Sequence, residues 1–233
     1  MMTRARFRAL LPALLAFGLM AAGNPARAQD AAPLSLDDIV GAVTDSIDRS
    51  AAALRKFTWQ ERSEIRYQGK LRSFRVDEYR YLPDGSLDAR LIHDPAAQAR
   101  KARGKRAREI ETTVDEMRAF AGLYLPLSSE RIRQAHQAGE ITLDERGESA
   151  RVELRISGYK QPGDMLAIRF DTGRNTLQSV EAVSPPGGRG VMRLTAAYAA
   201  LSDGAPYRAR VTVDQESSPV ELTAEAKGHM PVR

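Results

Sequence analysis

Residues 57–92 read FTWQERSEIRYQGKLRSFRVDEYRYLPDGSLDARLI, and this stretch decides the fold because it predicts three antiparallel strands. Two long strands, 57–67 and 71–81, are joined at Gly69, and a third, 86–92, follows a Pro-Asp-Gly turn. Glycine and Asp-Gly supply the positive φ angles that tight hairpin turns need. Short connections of this kind place consecutive strands side by side and antiparallel.

Alternation of residue types in the first strand indicates a sheet that is buried on one face. Its large apolar side chains all fall on odd positions: Phe57, Trp59, Ile65 and Tyr67. In the second strand, Phe74 and Val76 fall on even positions, whereas Tyr79 and Tyr81 fall on odd positions and so should face the other way. This change predicts a β-bulge or a strong bend near Asp77. Long strands that bend are typical of curved sheets and partial barrels.

The same alternation continues beyond Gly139 and predicts seven more strands. They are expected at 140–143, 152–156, 166–170, 176–183, 191–201, 207–213 and 220–226. In the last two strands, every second residue from Tyr207 to Val213 and from Val220 to Ala226 should face the apolar side. The links between the strands are short, so neighbouring strands should be antiparallel.

Three helices are predicted, and they should cover the apolar face of the sheet. The first, at 36–55, has an apolar stripe at helical spacing and begins after Ser35, an N-cap residue. Residues 94–138 form a basic and helical insertion with helices at 109–124 and 130–138. The predicted fold class is therefore α+β, with one curved antiparallel sheet of about ten strands, in a single domain over 35–233.

The N-terminus has the pattern of a cleavable signal peptide. Arg4, Arg6 and Arg8 precede a short apolar run that ends before Ala26-Arg27-Ala28, and the run is too short to span a bilayer comfortably. Cleavage is expected after Ala28, which makes 1–28 the signal peptide and 29–34 a mobile leader. The predicted location is the periplasm.

Removal of the signal peptide changes the charge balance. The chain has 35 Lys and Arg against 30 Asp and Glu, and residues 1–28 hold four arginines and no acid, so the mature chain has 31 basic and 30 acidic residues. A nearly neutral chain gives no reason to expect nucleic acid as a partner. The chain has no cysteine, which excludes disulfides and thiol chemistry.

A cluster of positive charge lies inside the insertion, formed by Arg100, Lys101, Arg103, Lys105, Arg106 and Arg108. One interpretation is a solvated loop or a mobile start of the next helix, since like charges so close in sequence repel one another. The other is an arm that binds an anionic membrane surface or an acidic envelope protein. The cluster lacks interleaved aromatic residues, so it does not point to nucleic acid.

No motif in the sequence points to an enzyme. Ser157-Gly158-Tyr159-Lys160 matches Ser-x-x-Lys, but Ser157 is expected to end a strand, whereas that chemistry needs the serine at a helix N-terminus. The three histidines, His93, His136 and His229, have no metal-ligand spacing. We therefore expect no catalytic residue, no metal and no cofactor.

The order of elements resembles a known family of exported proteins. An exported leader, an amphipathic helix, long strands, a helical insertion and a meander with hairpins such as Phe170-Asp171-Thr172-Gly173-Arg174-Asn175-Thr176-Leu177 look like the layout of the LolA-type lipoprotein carriers and of RseB. The segments at 81–87 and 201–209 also resemble hairpins of such proteins. The resemblance implies an open half-barrel with helices over a concave apolar face that receives acyl chains.

Two functions follow as hypotheses. The first is a non-enzymatic carrier for lipid or for the acyl chain of a lipoprotein, and the residues expected to line its groove are Trp59, Ile65, Leu154, Ile168 and Val211. These five residues would equally form an ordinary core between sheet and helices. The second is a structural or regulatory interaction module of the envelope that acts through the basic cluster and binds no small ligand.

Overall fold

The computed structural model describes residues 34–95, 104–144, 150–185 and 190–232. The predicted signal peptide with its cleavage site, and Arg100, Lys101 and Arg103 of the basic cluster, lie outside these ranges. The described helices are α1 (Leu36–Leu54), α2 (Lys105–Tyr124) and α3 (Ser129–Gln137). The described strands are β1 (Phe57–Tyr67), β2 (Lys70–Tyr81), β3 (Leu87–His93), β4 (Ile141–Asp144), β5 (Arg151–Ser157), β6 (Met165–Asp171), β7 (Thr176–Val183), β8 (Met192–Ala200), β9 (Pro206–Gln215) and β10 (Val220–Pro231).

The ten strands form one open, curved sheet, and every neighbouring pair is antiparallel. The order across the sheet is β3-β2-β1-β10-β9-β8-β7-β6-β5-β4. Two meanders, β1–β3 and β4–β10, are thus joined where β1 pairs with β10, from Phe57 opposite Pro231 to Tyr67 opposite Val220. The predicted fold class is confirmed.

Helix α1 begins where the sequence predicts, because Ser35 and Asp38 form a capping box. The backbone N–H of Asp38 donates to the Ser35 hydroxyl at 3.1 Å, and the N–H of Ser35 donates to the Asp38 carboxylate at 3.2 Å. The Ser35 hydroxyl also donates to that carboxylate, which lowers the pKa of Asp38. The apolar stripe of Ile39, Val43 and Ile47 is buried, so α1 packs its predicted face on the core.

The core lies between the helices and one face of the sheet. Among its largest fully buried side chains are Tyr124, Tyr159, Phe170, Ile39, Met117 and Ile132. The opposite face carries ion pairs such as Arg169 with Glu153, whose Nε and Oε2 atoms lie 2.8 Å apart. No helix within the described ranges combines the length and apolarity that crossing a membrane requires.

The bulge expected near Asp77 is found in a different strand. Strand β2 pairs with β1 without interruption from Arg75 to Arg80. Its pairing with β3 shifts between Val76 and Asp77, which leaves Ile92 of β3 as the extra residue. The one irregularity in the pairing of β2 with β1 leaves Arg72 as an extra residue and lies before Phe74. The change of parity in β2 therefore reflects apolar residues on both faces of a regularly paired stretch.

Two further bulges change which side chains face the helices. In β9, Ala209 is an extra residue, since Ala197 pairs with Arg210 and Tyr198 pairs with Arg208. In β10, Gly228 and His229 together lie opposite Trp59, and Gly228 has φ +66°, which glycine adopts easily. Strict alternation would place Arg208 and His229 on the solvent face, and the bulges bring both to the helix-covered face. The prediction that Tyr207, Ala209 and Val211 share one face is therefore wrong at Ala209.

We expect Ile168→Ala in β6 to lower the free energy of unfolding by about 2–5 kcal/mol, the usual cost of a cavity in a tight core. Ile168 is fully buried, whereas Met165 in the same strand is exposed. Met165→Ala, the matched control, should change stability by less than about 0.5 kcal/mol. Urea denaturation of both variants gives the comparison, and equal losses would contradict the assignment of Ile168 to the core.

Candidate functional site

An apolar cavity of about 360 Å³ lies between α1 and the sheet. Helix α1 contributes Ile47, Ala51 and Leu54 to its wall, and Leu127 comes from the segment between α2 and α3. Strands on the sheet side add further lining residues, among them Trp59, Tyr81, Leu177, Tyr198 and Ala226. We call this space the apolar cavity. Its volume is within the range of pockets that bind small molecules.

Trp59 forms the centre of an aromatic cluster at the wall of the apolar cavity. Its ring stacks on Tyr79 at a centroid distance of 5.8 Å and on His229 at 6.1 Å, both with an interplanar angle of 16°. The ring of Tyr207 lies 4.2 Å from that of His229. Trp59 is 7% exposed, so contact with these rings fixes the indole in place.

His229 contributes a polar atom to an otherwise apolar wall. Its Nε2 atom is shielded from solvent and has no hydrogen-bond partner among the described residues. Burial lowers the pKa of the imidazole, because a charged ring loses its hydration there. His229 is therefore expected to be neutral at pH 7, with a nitrogen available to a ligand.

Tyr198 supplies a second polar group that stays uncharged. Burial raises its pKa to about 12. Its phenol lines the apolar cavity as a neutral donor or acceptor. Together with His229, it makes the cavity apolar in bulk with isolated polar points, which is the usual composition of a pocket for an organic ligand.

A second space of about 330 Å³, which we call the polar cavity, lies between α2 and strands β1, β2, β9 and β10. Its charged and polar lining residues are Glu61, Ser63, Arg75, Asp77, Tyr79, Arg118 and Arg208. The apolar and polar cavities are neighbours, because Leu125 and Arg208 line both of them.

Two buried carboxylates make the polar cavity unusual. Glu61 and Asp77 lie directly opposite each other in β1 and β2, and both are more than nine-tenths buried. Arg208 donates to Glu61 at 2.7 Å, and Arg75 donates from Nε to Asp77 at 2.6 Å. Burial, followed by the charges of Glu61 and Asp77, raises the pKa of Tyr79. Buried charges are costly even when paired, and clusters of this kind are more frequent at functional sites than elsewhere.

The position of Leu125 between the cavities is fixed by the end of α2. The hydroxyl of Tyr124 donates to Asp164 at 2.6 Å, in the turn between β5 and β6. The N–H groups of Lys160 and Gln161 donate to the same carboxylate oxygen, both at 3.0 Å. This contact ties α2 to the sheet next to Leu125.

The five residues expected to line a groove are found in four different places. Trp59 lines the apolar cavity, and Val211 lines the polar cavity. Ile65 lines a smaller cavity of about 200 Å³ between α2 and the first two strands. Leu154 and Ile168 are paired across β5 and β6 and are fully buried in the core.

Sequence reasoning missed the residues that give the cavities their polar chemistry. Arg208 and His229 reach the inner face only because of the bulges in β9 and β10. Alternation places Glu61 and Asp77 on the inner face of the sheet. Charged residues are seldom buried, so alternation alone did not mark these two as cavity residues. Gly228 beside His229 is the one local signal that could have indicated a bulge.

Three residues of the basic cluster belong to the first turn of α2. Lys105, Arg106 and Arg108 are all exposed, and that turn has no acidic residue. Cations are unfavourable at a helix N-terminus, so this placement is not explained by helix stability. The guanidinium of Arg106 lies 4.7 Å from the ring centre of Tyr67 and donates to its hydroxyl.

The Ser-x-x-Lys match has no catalytic geometry. Ser157 is the last residue of β5 and is exposed, and Gly158 turns the chain away with φ +71°. Among the residues that the structure describes, no group of three His, Asp or Glu side chains is close enough to bind a metal ion.

Comparison with known proteins gives similarity of structure only. No family model and no curated protein matches the chain. A solved DUF1329 family protein from Desulfovibrio piger aligns with 82% of this chain and 92% of its own, at 11% identity and a TM-score of 0.41. A LolA superfamily protein from Nitrosomonas europaea aligns with 81% of this chain and 93% of its own, at 9% identity and a TM-score of 0.36.

A third match is the MucA/MucB complex of Pseudomonas aeruginosa, with 82% of this chain and 99% of that chain covered, 12% identity and a TM-score of 0.25. These alignments extend over most of the chain and include a LolA superfamily protein, the kind of protein that the sequence resembles. TM-scores of 0.41 and below carry no further argument. Identities this low transfer no ligand and no residue role, so the function has to be argued from the cavities themselves.

We expect the fluorescence of Trp59 to report protonation of His229. Trp59 is the only tryptophan of the chain and stacks on His229, so an imidazolium should quench it. The midpoint should lie below the ordinary histidine value of 6.5, because burial lowers the pKa. A lowered histidine pKa means that the associated stability is present above pH 6.5 and is lost as the pH falls below it.

A pH titration of the emission, with His229→Phe as the control, measures this effect. The variant should lose the transition while His93 and His136 are retained. A midpoint at or above 6.5, or a transition that survives in His229→Phe, would show that the assignment is wrong.

Proposed function

We propose that this protein is a non-catalytic binding protein of the periplasm and that it carries an acyl chain in the apolar cavity. The observation that supports this most directly is the space between α1 and the sheet that no described residue fills, with Trp59 in its wall. If α1 and the sheet formed only a core, their side chains would fill this space, since protein interiors are packed about as densely as organic crystals. The periplasmic location rests on the signal peptide predicted at residues 1–28.

The lining of the apolar cavity favours an alkyl chain over a polar ligand. Its wall is mainly aliphatic and aromatic, and burial of each CH₂ group there is worth about 0.8 kcal/mol. Helix α1 covers one side with the partly buried Leu54 and the exposed Ala51, and it is held at its other end by buried Ile39 and Val43. Ala51 and Leu54 are therefore the more exposed part of the cavity wall that α1 provides.

The neighbouring polar cavity suggests the charge of the ligand's head group. Each of its three arginines is paired, Arg75 with Asp77, Arg118 with Asp115 and Arg208 with Glu61. Arg208 is the one of the three that also lines the apolar cavity. The guanidinium of Arg208 uses one hydrogen bond on Glu61 and lies at the boundary of the two cavities. An acidic head group at Arg208 would place its alkyl chain in the apolar cavity, so the proposed ligand is an anionic single-chain amphiphile such as a fatty acid.

Reducing the apolar cavity should weaken binding of the chain. Ala226 lines the cavity on the sheet side, whereas Ala52 on α1 is exposed and outside the lining. Ala226→Leu should therefore lower the affinity for a fluorescent fatty acid at least tenfold, and Ala52→Leu should leave it unchanged. Equal affinities in all three proteins, at equal melting temperatures, would exclude the apolar cavity as the site.

Removal of the positive charge at the boundary should affect acidic ligands only. Arg208→Gln should weaken palmitate binding about tenfold, the equivalent of a charge-assisted hydrogen bond, and leave hexadecanol binding the same. Competition against the fluorescent probe measures both ligands, and retained hexadecanol binding shows that the cavity is intact. An equal loss for acid and alcohol would contradict a role for Arg208 in head-group binding.

A further inference from the structure

The edge strand β3 presents apolar side chains to solvent, and one side of its backbone pairs with no described residue. It lies at one end of the sheet and pairs only with β2 in the described part of the chain. Leu87, Leu91 and Ile92 are 50%, 52% and 45% exposed, although large apolar side chains are usually buried. An exposed apolar edge is a template for another strand, and native proteins usually cover it.

The hairpin geometry determines which backbone groups of β3 point outward. The N–H of Leu82 donates to the carbonyl of Ser86 at 2.9 Å, which sets the first hydrogen-bonded pair after the turn. Hydrogen-bonded and non-hydrogen-bonded pairs alternate along antiparallel strands. Asp88 and Arg90 therefore bond to β2, and the N–H and carbonyl groups of Leu87, Ala89 and Leu91 face away from the sheet.

The sequence of β3 is complementary to itself in one antiparallel register. If two copies are related by a two-fold axis at Ala89, Leu87 of each lies opposite Leu91 of the other, and Asp88 lies opposite Arg90. All the outward backbone groups then meet in hydrogen-bonded pairs. A two-fold axis at Asp88 or at Arg90 would instead place like charges directly opposite, which is destabilising.

The same register extends an existing row of charges. Asp88 lies 3.0 Å from Arg80 and Arg90 lies 2.8 Å from Glu78, measured between nitrogen and carboxylate oxygen, on one face of the hairpin. A second copy would add its Arg90 beside Asp88 and its Asp88 beside Arg90, so that signs alternate across the junction. On the other face, Leu87 lines the apolar cavity, and Leu91 of the second copy would lie beside it and extend the cavity wall.

We propose that two copies of this chain associate through β3, antiparallel about Ala89, and join their sheets into one. The interface is isologous, as is usual for dimers with a two-fold axis. It covers the exposed leucines and satisfies the edge backbone. The inference rests on β3 alone and is independent of the ligand proposed for the cavities.

A backbone substitution tests the register without disturbing the fold. Ala89→Pro removes an N–H that faces outward, and proline is tolerated on the free side of an edge strand. In sedimentation velocity, the unaltered chain should show a dimer fraction that rises with concentration, and Ala89→Pro should weaken the dimer at least tenfold. Arg90→Asp places an aspartate opposite Asp88 of the other copy in both symmetric pairs. It should therefore weaken the dimer as well. A chain that stays monomeric up to millimolar concentration, or a dimer that persists in Ala89→Pro, would overturn the proposal.

Single cysteines locate the interface, because the chain has none of its own. In a hydrogen-bonded pair the two Ala89 Cα atoms would be about 5.5 Å apart, within the range for a disulfide or a short bifunctional thiol reagent. Ala89→Cys should therefore cross-link into a covalent dimer. Thr142→Cys, on the opposite edge strand β4 and also exposed, should not. Cross-linking of Thr142→Cys instead of Ala89→Cys would show that the chains associate through β4, and it would reject the inference.

Discussion

The pairing of β1 with β10 is the interaction on which the rest of the structure depends. It joins a meander of three strands to one of seven, and it is continuous over nearly the whole length of both strands apart from the bulge at Gly228 and His229. The polar cavity lies across this junction, since its walls come from β1 and β2 on one side and from β9 and β10 on the other. Trp59 and His229 meet across it as well, so the register of one strand pair positions both sites.

Much of this architecture could be read from local patterns. Hairpin glycines, period-two alternation and the Ser35 cap gave strands and helices that agree with the structure, because each depends on neighbouring residues alone. The pairing of β1 with β10 has no such signature, as it joins residues more than 150 positions apart. The position of Leu154 and Ile168 deep in the core, rather than at a cavity, likewise depends on how the helices pack and not on their own strands.

The bulges show why the sites were harder to predict than the fold. One inserted residue interrupts the alternation of side chains between the two faces of the sheet. In β9 the stretch Arg208-Ala209-Arg210 reads as plain alternation, and nothing in it indicates that Ala209 is extra. The cavities thus acquire an arginine and a histidine at positions where the pattern predicts solvent, and these are the residues on which the proposed ligand recognition rests.

The central place of β10 also has a kinetic consequence. The final strand of the described chain fills the gap between β1 and β9, so the sheet cannot be completed until the C-terminal residues are present. Contacts that distant in sequence slow folding, because the loop between them must first close. The hairpins β1–β2 and β8–β9 can form from local contacts, whereas the pairing that brings Trp59 against His229 has to wait for that closure. The wall shared by both cavities is therefore expected to be completed late in folding.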